Sequence, residues 1–376
     1  MNDEASHLIA IVKFVRPKRF MENQNSIQIA DRLIGTQHRP FIIAELSGNH
    51  NQSLARALEL VEAAAKTGAD AIKLQTYTAN SLTIDCDRPE FKIADEKSLW
   101  KGRTLYSLYQ EAATPYDWHK PIFDRCKELG LICFSTPFDE EAVDFLEALD
   151  SPCYKLASFE ITHLPLVAKI AKTRKPLIAS TGMASPIEIQ EMVDCARENG
   201  CPEIVLLKCT SSYPAEPLDS NILTIPHMRD LFKTQVGLSD HTMGVGVAVA
   251  SIALGATVIE KHFTLARADG GVDSAFSLEP QEFSLLVTEA LRAWQALGSV
   301  TYNGTESESK SRLFRRSVYA VKDIKRGERF SAENIRVIRP SLGVAPRFYT
   351  KLVGTVSERD IARGTPITPV DILRFL

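Results

Sequence analysis

The sequence has no run of 18 apolar residues, so no membrane-spanning helix is expected. It has no basic excess either: 44 Lys and Arg stand against 47 Asp and Glu, for a net charge of −3. With a pI near 6.3 there is no basic field to hold nucleic acid. No Gly-x-Gly-x-x-Gly follows the first predicted strand, which argues against a dinucleotide-binding open sheet. The seven cysteines lack metal-ligand spacing, and Cys133, Cys153 and Cys209 fall inside predicted strands. They read as reduced core thiols of a cytoplasmic protein. The stretch Met1–Arg19 makes a poor signal peptide. Most of its basic residues follow the apolar run Leu8–Val15, and no small-residue cleavage site comes after it. Regular patterning begins only after Met21, an alternative start.

What is present is an alternation. A chain of 376 residues with 44% apolar content suits one large domain and a small one. After a polar lead-in over 22–40, with a short hairpin near Ser26–Ile29, strands are predicted at Phe41–Leu46, Ala71–Thr76, Ile132–Pro137, Cys153–Ser158, Pro176–Thr181 and Ile204–Cys209. Two more end at Asp240 and His262. Helices fall between them, at Asn51–Lys66 (stopped by Gly68), at a pair over 105–129, after Asp139, after the capping box Ser185-Pro-Ile-Glu188, and over Val245–Leu254. An insertion, Tyr77–Thr104, carries Trp100. Eight strands alternating with helices over 41–297 predict a closed (β/α)8 TIM barrel whose last helix is Pro280–Leu297. Residues 298–312 are polar and read as a linker. Beyond it, Asp323-Ile-Lys-Arg-Gly327 is echoed by Asp360-Ile-Ala-Arg-Gly364, and the echo continues to Ile335 and Ile372. This predicts a small pseudo-twofold domain of short strands and turns over 313–376.

Chemistry in a parallel barrel belongs at the carboxyl ends of the strands. Two apolar runs end there in His241 and His262, on strands that sit about 4.8 Å apart if adjacent. They could share a metal ion, or each could merely pack or cap its strand. The other strand ends supply Glu45, Asn49 and His50; Lys73, Gln75 and Tyr77; Ser135 and Thr136; Lys155, Ser158 and Glu160; Ser180 and Thr181; Thr210, Ser211 and Tyr213; Ser239 and Asp240. Asp269, Asp273 and Ser274 follow in a glycine-containing loop. Lys73 and Lys155 lie in otherwise apolar strands, where a lysine needs a partner. One reading is a multiply charged anion held by two ammoniums and several hydroxyls; the other is an internal pair with Glu45 or Glu160. Lys208 and Lys261 fall on the opposite strand parity and are expected to face outward. A metal on the two histidines suits a first-row ion such as Mn²⁺ acting on a carbonyl oxygen, with Glu45 or Glu160 moving a proton or orienting water.

Seven segments, Phe41-Ile-Ile-Ala-Glu-Leu-Ser-Gly-Asn-His50, Ile72-Lys-Leu-Gln-Thr76, Phe134-Ser-Thr-Pro137, Tyr154-Lys-Leu-Ala-Ser158, Ser180-Thr-Gly-Met183, Gly237-Leu-Ser-Asp-His241 and Glu260-Lys-His-Phe263, resemble the sialic acid synthases. The repeat-bearing tail resembles their antifreeze-like (SAF) domain, and the likeness runs over about 25–376. Leu105-Tyr-Ser-Leu-Tyr109, Thr114-Pro-Tyr-Asp-Trp-His119, Lys208-Cys-Thr-Ser-Ser-Tyr-Pro214 and Gly270-Gly-Val-Asp-Ser-Ala-Phe-Ser277 look closest to the pseudaminic acid branch. The N-acetylneuraminate branch usually has Asn where this chain has Ser211 or Ser212.

The resemblance implies condensation of phosphoenolpyruvate with an open-chain amino-sugar aldehyde, 2,4-diacetamido-2,4,6-trideoxy-altrose, to give a nine-carbon ulosonic acid and phosphate. N-acetylneuraminate or legionaminate synthesis is the near alternative, a metal-dependent aldolase the distant one, and a non-enzymatic sugar-binding barrel a third. It implies His241 and His262 as ligands of Mn²⁺ (or Mg²⁺ or Co²⁺). Lys73, Lys155, Thr136, Ser158, Ser180 and Ser239 would hold phosphoenolpyruvate. Glu45, Gln75, Tyr213 and Asp273 would face the sugar or the reacting centre, and Glu160 would assist water attack at C2 of phosphoenolpyruvate. It also implies a homodimer in which the SAF domain of one subunit covers the other's barrel, with Arg339 reaching substrate; a plain surface arginine is the alternative.

Overall fold

The computed structural model describes residues 26–96, 98–302 and 304–371. The readings of Met1–Arg19 and Met21, of Asn303 in the linker and of Ile372 in the second repeat lie outside the described residues. The chain divides into two units, Met1–Gly298 and Ser299–Leu376.

The first unit opens with an antiparallel hairpin, β1 (Ile27–Ile29) and β2 (Arg32–Ile34). Then comes the predicted alternation: β3 (Phe41–Glu45), α1 (Leu54–Thr67), β4 (Ala71–Thr76), α2 (Ala79–Leu82), α3 (Leu105–Ala112), α4 (Tyr116–Glu128), β5 (Ile132–Pro137), α5 (Glu140–Ala148) and β6 (Tyr154–Leu156). It continues with α6 (Leu164–Ala171), β7 (Leu177–Ser180), α7 (Pro186–Glu198), β8 (Ile204–Cys209), α8 (Thr224–Phe232), β9 (Gln235–Asp240), α9 (Gly246–Ala253), β10 (Val258–His262) and α10 (Pro280–Leu297). Strands β3 to β10 are all parallel and close into one barrel, β10 pairing with both β9 and β3.

Local chemistry sets the boundaries. Ser53 caps α1 by accepting from the Arg56 N–H, and Gly68 ends it with φ +84. Asp139 caps α5, and Ser185 with Glu188 forms the expected capping box on α7. No helix among the described residues is long and apolar enough to cross a membrane.

Strand parity then sorts the side chains. Ile42, Ala44, Ile72, Leu74, Leu206, Leu238 and Ile259 face the helices and join the main core. The alternate residues, among them Phe41, Ile43, Phe134, Ile178, Val205 and Val258, fill the barrel interior together with Ile27, Ile29 and Ile34 of the hairpin. These interior residues lie toward the strand starts, so the hairpin closes the amino-terminal end. Asp70 ties it there: it accepts from the Ile42 N–H at 2.9 Å and lies 2.8 Å from Arg39. The apolar filling stops part-way up, and the polar residues lie above it, at the carboxyl ends.

The second unit is built on the repeat. Strands β11 (Ser317–Ala320) and β12 (Ile335–Ile338) pair antiparallel. The two copies exchange equivalent bonds. Asp360 Oδ1 accepts from the Arg326 N–H at 2.9 Å, and Asp323 Oδ1 accepts from the Arg363 N–H at 2.8 Å. Ile324 and Ile361 pair backbone to backbone in both directions at 2.8 Å. Val318, Ile324, Phe330, Ile335, Leu352 and Ile361 belong to its core. The segment expected as a plain linker contains two short 3₁₀ turns, Glu306–Glu308 and Lys310–Phe314; Thr305 and Glu308 supply a capping box that polarity alone does not suggest.

Candidate active site

Five strands, β3, β4, β5, β9 and β10, build the first half of the site. On β4, Lys73 lies 2.7 Å from Glu45 Oε2 of β3, 3.6 Å from Glu260 Oε1 of β10 and 3.4 Å from Thr136 Oγ1 of β5. Gln75 donates to Glu45 Oε1 at 2.8 Å and to Ser47 Oγ at 3.1 Å. Ser47 donates in turn to Asp273 Oδ2, and Ser239 of β9 donates to Glu260 Oε1 at 3.1 Å. For Lys73, then, the internal pairing with Glu45 is realised.

The second lysine differs. Lys155 of β6 is 1% exposed, donates to Ser180 Oγ at 2.7 Å and to the Leu156 carbonyl at 2.8 Å, and has no carboxylate within ion-pair distance among the described residues. Burial lowers its pKa, and the Glu260 charge opposes that. Beside it, Ser158 and Ser211 bond each other at 2.9 Å. Gly182, with φ +48, passes so close that a Cβ there would stand 2.4 Å from the Ser158 Cβ. A buried ammonium with no carboxylate within ion-pair distance, bonded to a serine hydroxyl, has the electrostatics that suit an anion.

The carboxyl groups are driven apart. Burial raises Glu45 to about 7 against the pull of Lys73. Glu260 is held below the usual range because Lys155, Lys73 and Ser239 outweigh its burial. Glu160, in the turn after β6, is raised to about 7 by burial, with Lys155 pulling back, and its Oε2 has no hydrogen-bond partner. One carboxylate therefore stays ionised while two can carry a proton near neutrality, the arrangement that acid–base work requires.

His241 and His262 stand side by side with ring centroids 5.4 Å apart. The Thr210 carbonyl lies 2.9 Å from His241 Nδ1, so that nitrogen carries the proton and Nε2 keeps its lone pair. His262 Nδ1 is buried without a hydrogen-bond partner and lies 3.8 Å from Asp273 Oδ2. Burial lowers both imidazole pKa values, so both rings are neutral. Two neutral rings with unused nitrogens fit a divalent ion. No cluster of three or more His, Cys, Asp or Glu poised for a metal occurs among the described residues. The donor set therefore suits an open site whose remaining positions go to water or substrate.

Several polar residues turn away from the site, Lys208 and Lys261 as their strand parity predicts. Lys261 faces outward, buried, donating to Asp240 Oδ2 at 2.8 Å and to the Thr242 carbonyl at 2.6 Å, which takes Asp240 out of the site as well. Lys208 likewise turns away and donates to its neighbour Cys209. Ser135 bonds Thr76 at 2.6 Å, and Thr76 bonds His119 at 2.8 Å, behind the barrel wall. Asn49 donates to Phe263 O and Ser277 Oγ, His50 contacts Thr114, and Thr181 donates to Leu207 O; these brace loops. Asp269 pairs with Arg56. Arg339 is exposed on the second unit. Two residues go unnamed by sequence reasoning, Glu260 and Ser47. Each lies two positions from a named one, His262 and Glu45, and period-two alternation puts Glu260 on the same face as His262.

A family model described as NeuB family matches residues 60–302, and a SAF domain model matches 315–373. The chain belongs to the NeuB family. It is 46% identical over 336 residues to the pseudaminic acid synthase of Campylobacter jejuni, covering 89% of this chain and 97% of that one. It is 37% identical to the N,N'-diacetyllegionaminic acid synthase of the same organism, covering 86% and 97%. The crystal structure of a Bacillus subtilis spore coat polysaccharide biosynthesis protein superposes with TM-score 0.63 at 34% identity, over 93% of this chain and 99% of that one.

Proposed function

We propose that the chain condenses phosphoenolpyruvate with open-chain 2,4-diacetamido-2,4,6-trideoxy-altrose, forming pseudaminic acid and phosphate. The observation that carries this reading is Lys155, a buried ammonium that donates to Ser180 and has no carboxylate within ion-pair distance among the described residues, in the same barrel as the paired rings of His241 and His262. The choice of sugar is supported by the greater identity to the pseudaminic than to the legionaminic synthase of one organism.

In this proposal Lys155, Ser180, Lys73, Thr136, Ser158 and Ser239 hold the phosphate and carboxylate of phosphoenolpyruvate. Glu45, Gln75, Tyr213 and Asp273 face the sugar or the reacting centre. The methylene carbon of phosphoenolpyruvate bonds to the aldehyde carbon, whose oxygen takes a proton. Glu160 takes a proton from the water that adds to C2, and phosphate leaves C2 as its C–O bond breaks. His241 and His262 would hold Mn²⁺, with Mg²⁺ or Co²⁺ as substitutes; bound there, the ion supplies Lewis-acid polarisation of the aldehyde oxygen. A homodimer with the SAF domain acting in trans, and Arg339 reaching the partner's substrate, belongs to the same proposal. Charge supports it: from Ser299 on the chain carries fifteen Lys and Arg against eight Asp and Glu, and the preceding part carries the reverse imbalance. The reaction is assigned to the cytoplasm, where phosphoenolpyruvate is made and thiols stay reduced.

The test is phosphate release from phosphoenolpyruvate with Mn²⁺ and, in parallel, the altrose sugar, its diacetamido-mannose counterpart and N-acetylmannosamine. Release with the altrose sugar alone is expected. Release with either of the others reassigns the sugar to the legionaminate or neuraminate branch. No release with any of them overturns the synthase reading in favour of an aldolase or a binding protein.

A further inference from the structure

The insertion between β4 and α3 is longer than a barrel loop needs to be, and it is folded. The Gly102 N–H donates to Ile93 O at 2.8 Å and the Ile93 N–H to Arg103 O at 2.9 Å, while Lys92 bridges Thr104. This small hairpin carries Trp100 to the meeting point of two other loops. The Trp100 indole N–H donates to the Val272 carbonyl at 2.9 Å, in the loop after β10 and next to Asp273. The Trp100 ring centroid lies 5.9 Å from Tyr213, in the loop after β8. Tyr213 lies 4.5 Å from His241 and 5.3 Å from Phe276, which lies 4.9 Å from His262. One side chain thus joins an aromatic wall around the two histidines to the backbone that presents Asp273. The Lys155, Ser180 and Ser158 group belongs to β6, β7 and the turn after β6. None of its hydrogen bonds reaches Trp100 among the described residues.

We propose that Trp100 is a positioning residue that selects the aldehyde co-substrate. It sets the separation between the Tyr213 wall and the Asp273 loop, and so the shape of the sugar end of the site. The inference rests on the reaction proposed above. The indole matters in two separable ways, through its N–H and through its ring, and a tryptophan with both contacts leaves little freedom for either loop.

The test uses the full chain carrying W100F, which keeps a ring but no N–H, and W100A, which keeps neither. Losing one hydrogen bond is worth about fivefold, so KM for the altrose sugar should rise about fivefold in W100F and more in W100A. The preference for the altrose sugar over N-acetylmannosamine should narrow, while KM for phosphoenolpyruvate should stay within about twofold, because Lys155 and Ser180 of its cradle lie on β6 and β7 and make no hydrogen bond with Trp100 among the described residues. Melting measured alongside guards against misfolding; W100F carries the test if W100A is unstable. With an active wild type, an unmoved sugar KM, or a parallel rise in both KM values, overturns this inference alone. A wild type inactive with all three sugars overturns the reaction and the inference together.

Discussion

Glu160 offers a prediction whose size follows from its surroundings. Burial lifts its carboxyl from the ordinary value of 4.5 to about 7, with Lys155 holding the rise back. If Glu160 accepts the proton of the attacking water, only its ionised form works. About one molecule in eleven is then competent at pH 6 and about ten in eleven at pH 8, so kcat/KM should rise about tenfold over that interval. Below pH 6 it should fall about tenfold per unit. Glu45 titrates in the same range, so the comparison that isolates Glu160 is with E160Q. That variant should lose about 10²- to 10⁴-fold in rate and lose its share of the inflection.

Stability provides an independent reading of the same group. Its folded pKa lies above its unfolded one, so the folded state binds more protons between about pH 4.5 and 7. Stability therefore falls as pH rises through that window, and the cost is fully present above 7. Allowing for solvent at this half-buried position, the penalty is on the order of 1–2 kcal/mol. E160Q should consequently raise the melting temperature by a few degrees more at pH 8 than at pH 5. The assays are phosphate release from pH 5.5 to 9 and calorimetry at the two pH values. A wild-type profile retained unchanged in E160Q would refute the reasoning.

Three other substitutions or deletions probe separate parts of the scheme. G182A should raise KM for phosphoenolpyruvate at least about tenfold, because its Cβ would press on Ser158 2.4 Å away; steady-state kinetics decides it, and an unchanged KM removes Ser158 from the anion site. H241A should abolish Mn²⁺ binding in calorimetry as well as turnover, since it leaves His262 as the lone imidazole of the pair; retained metal affinity sinks the two-histidine assignment. Deleting 311–376 should collapse sugar turnover while the barrel still melts cooperatively, and a fully active truncation would make the tail an accessory module.

Much of the fold is legible because it is local. A β-strand in a barrel is a short apolar run, and Ala71–Thr76, Ile132–Pro137 and Ile204–Cys209 stand out as such. Helix ends such as Asp139, Ser185 and Gly68 announce themselves through caps. Parity in the last strand is legible too, and it places Lys261 outside. The site is read less completely. Ser135 and Asp240 stand at strand ends among polar neighbours, and only the pairing of Ser135 with Thr76 and of Asp240 with Lys261 marks them as outward. Glu260 is missed in the other direction: alternation with His262 already puts it on the interior face, but only the contacts with Lys73 and Ser239 show that its carboxylate belongs to the site. Asn49 and His50 sit in a motif rich in polar groups, yet they spend those groups holding loops.

Strand order, the number of barrel units, the repeat at Asp323 and Asp360 and the two histidines at adjacent strand ends are all properties of the chain's local pattern and spacing, which persist whatever the partners are. Which lysine is neutralised is not of that kind. Lys73 and Lys155 look alike in sequence, each an ammonium inside an apolar strand. Closure of the barrel places Lys73 at 2.7 Å from Glu45 and 3.6 Å from Glu260, and leaves Lys155 with a hydroxyl and a carbonyl. Charge interactions depend on distance and burial, and both are set by residues far apart in the chain.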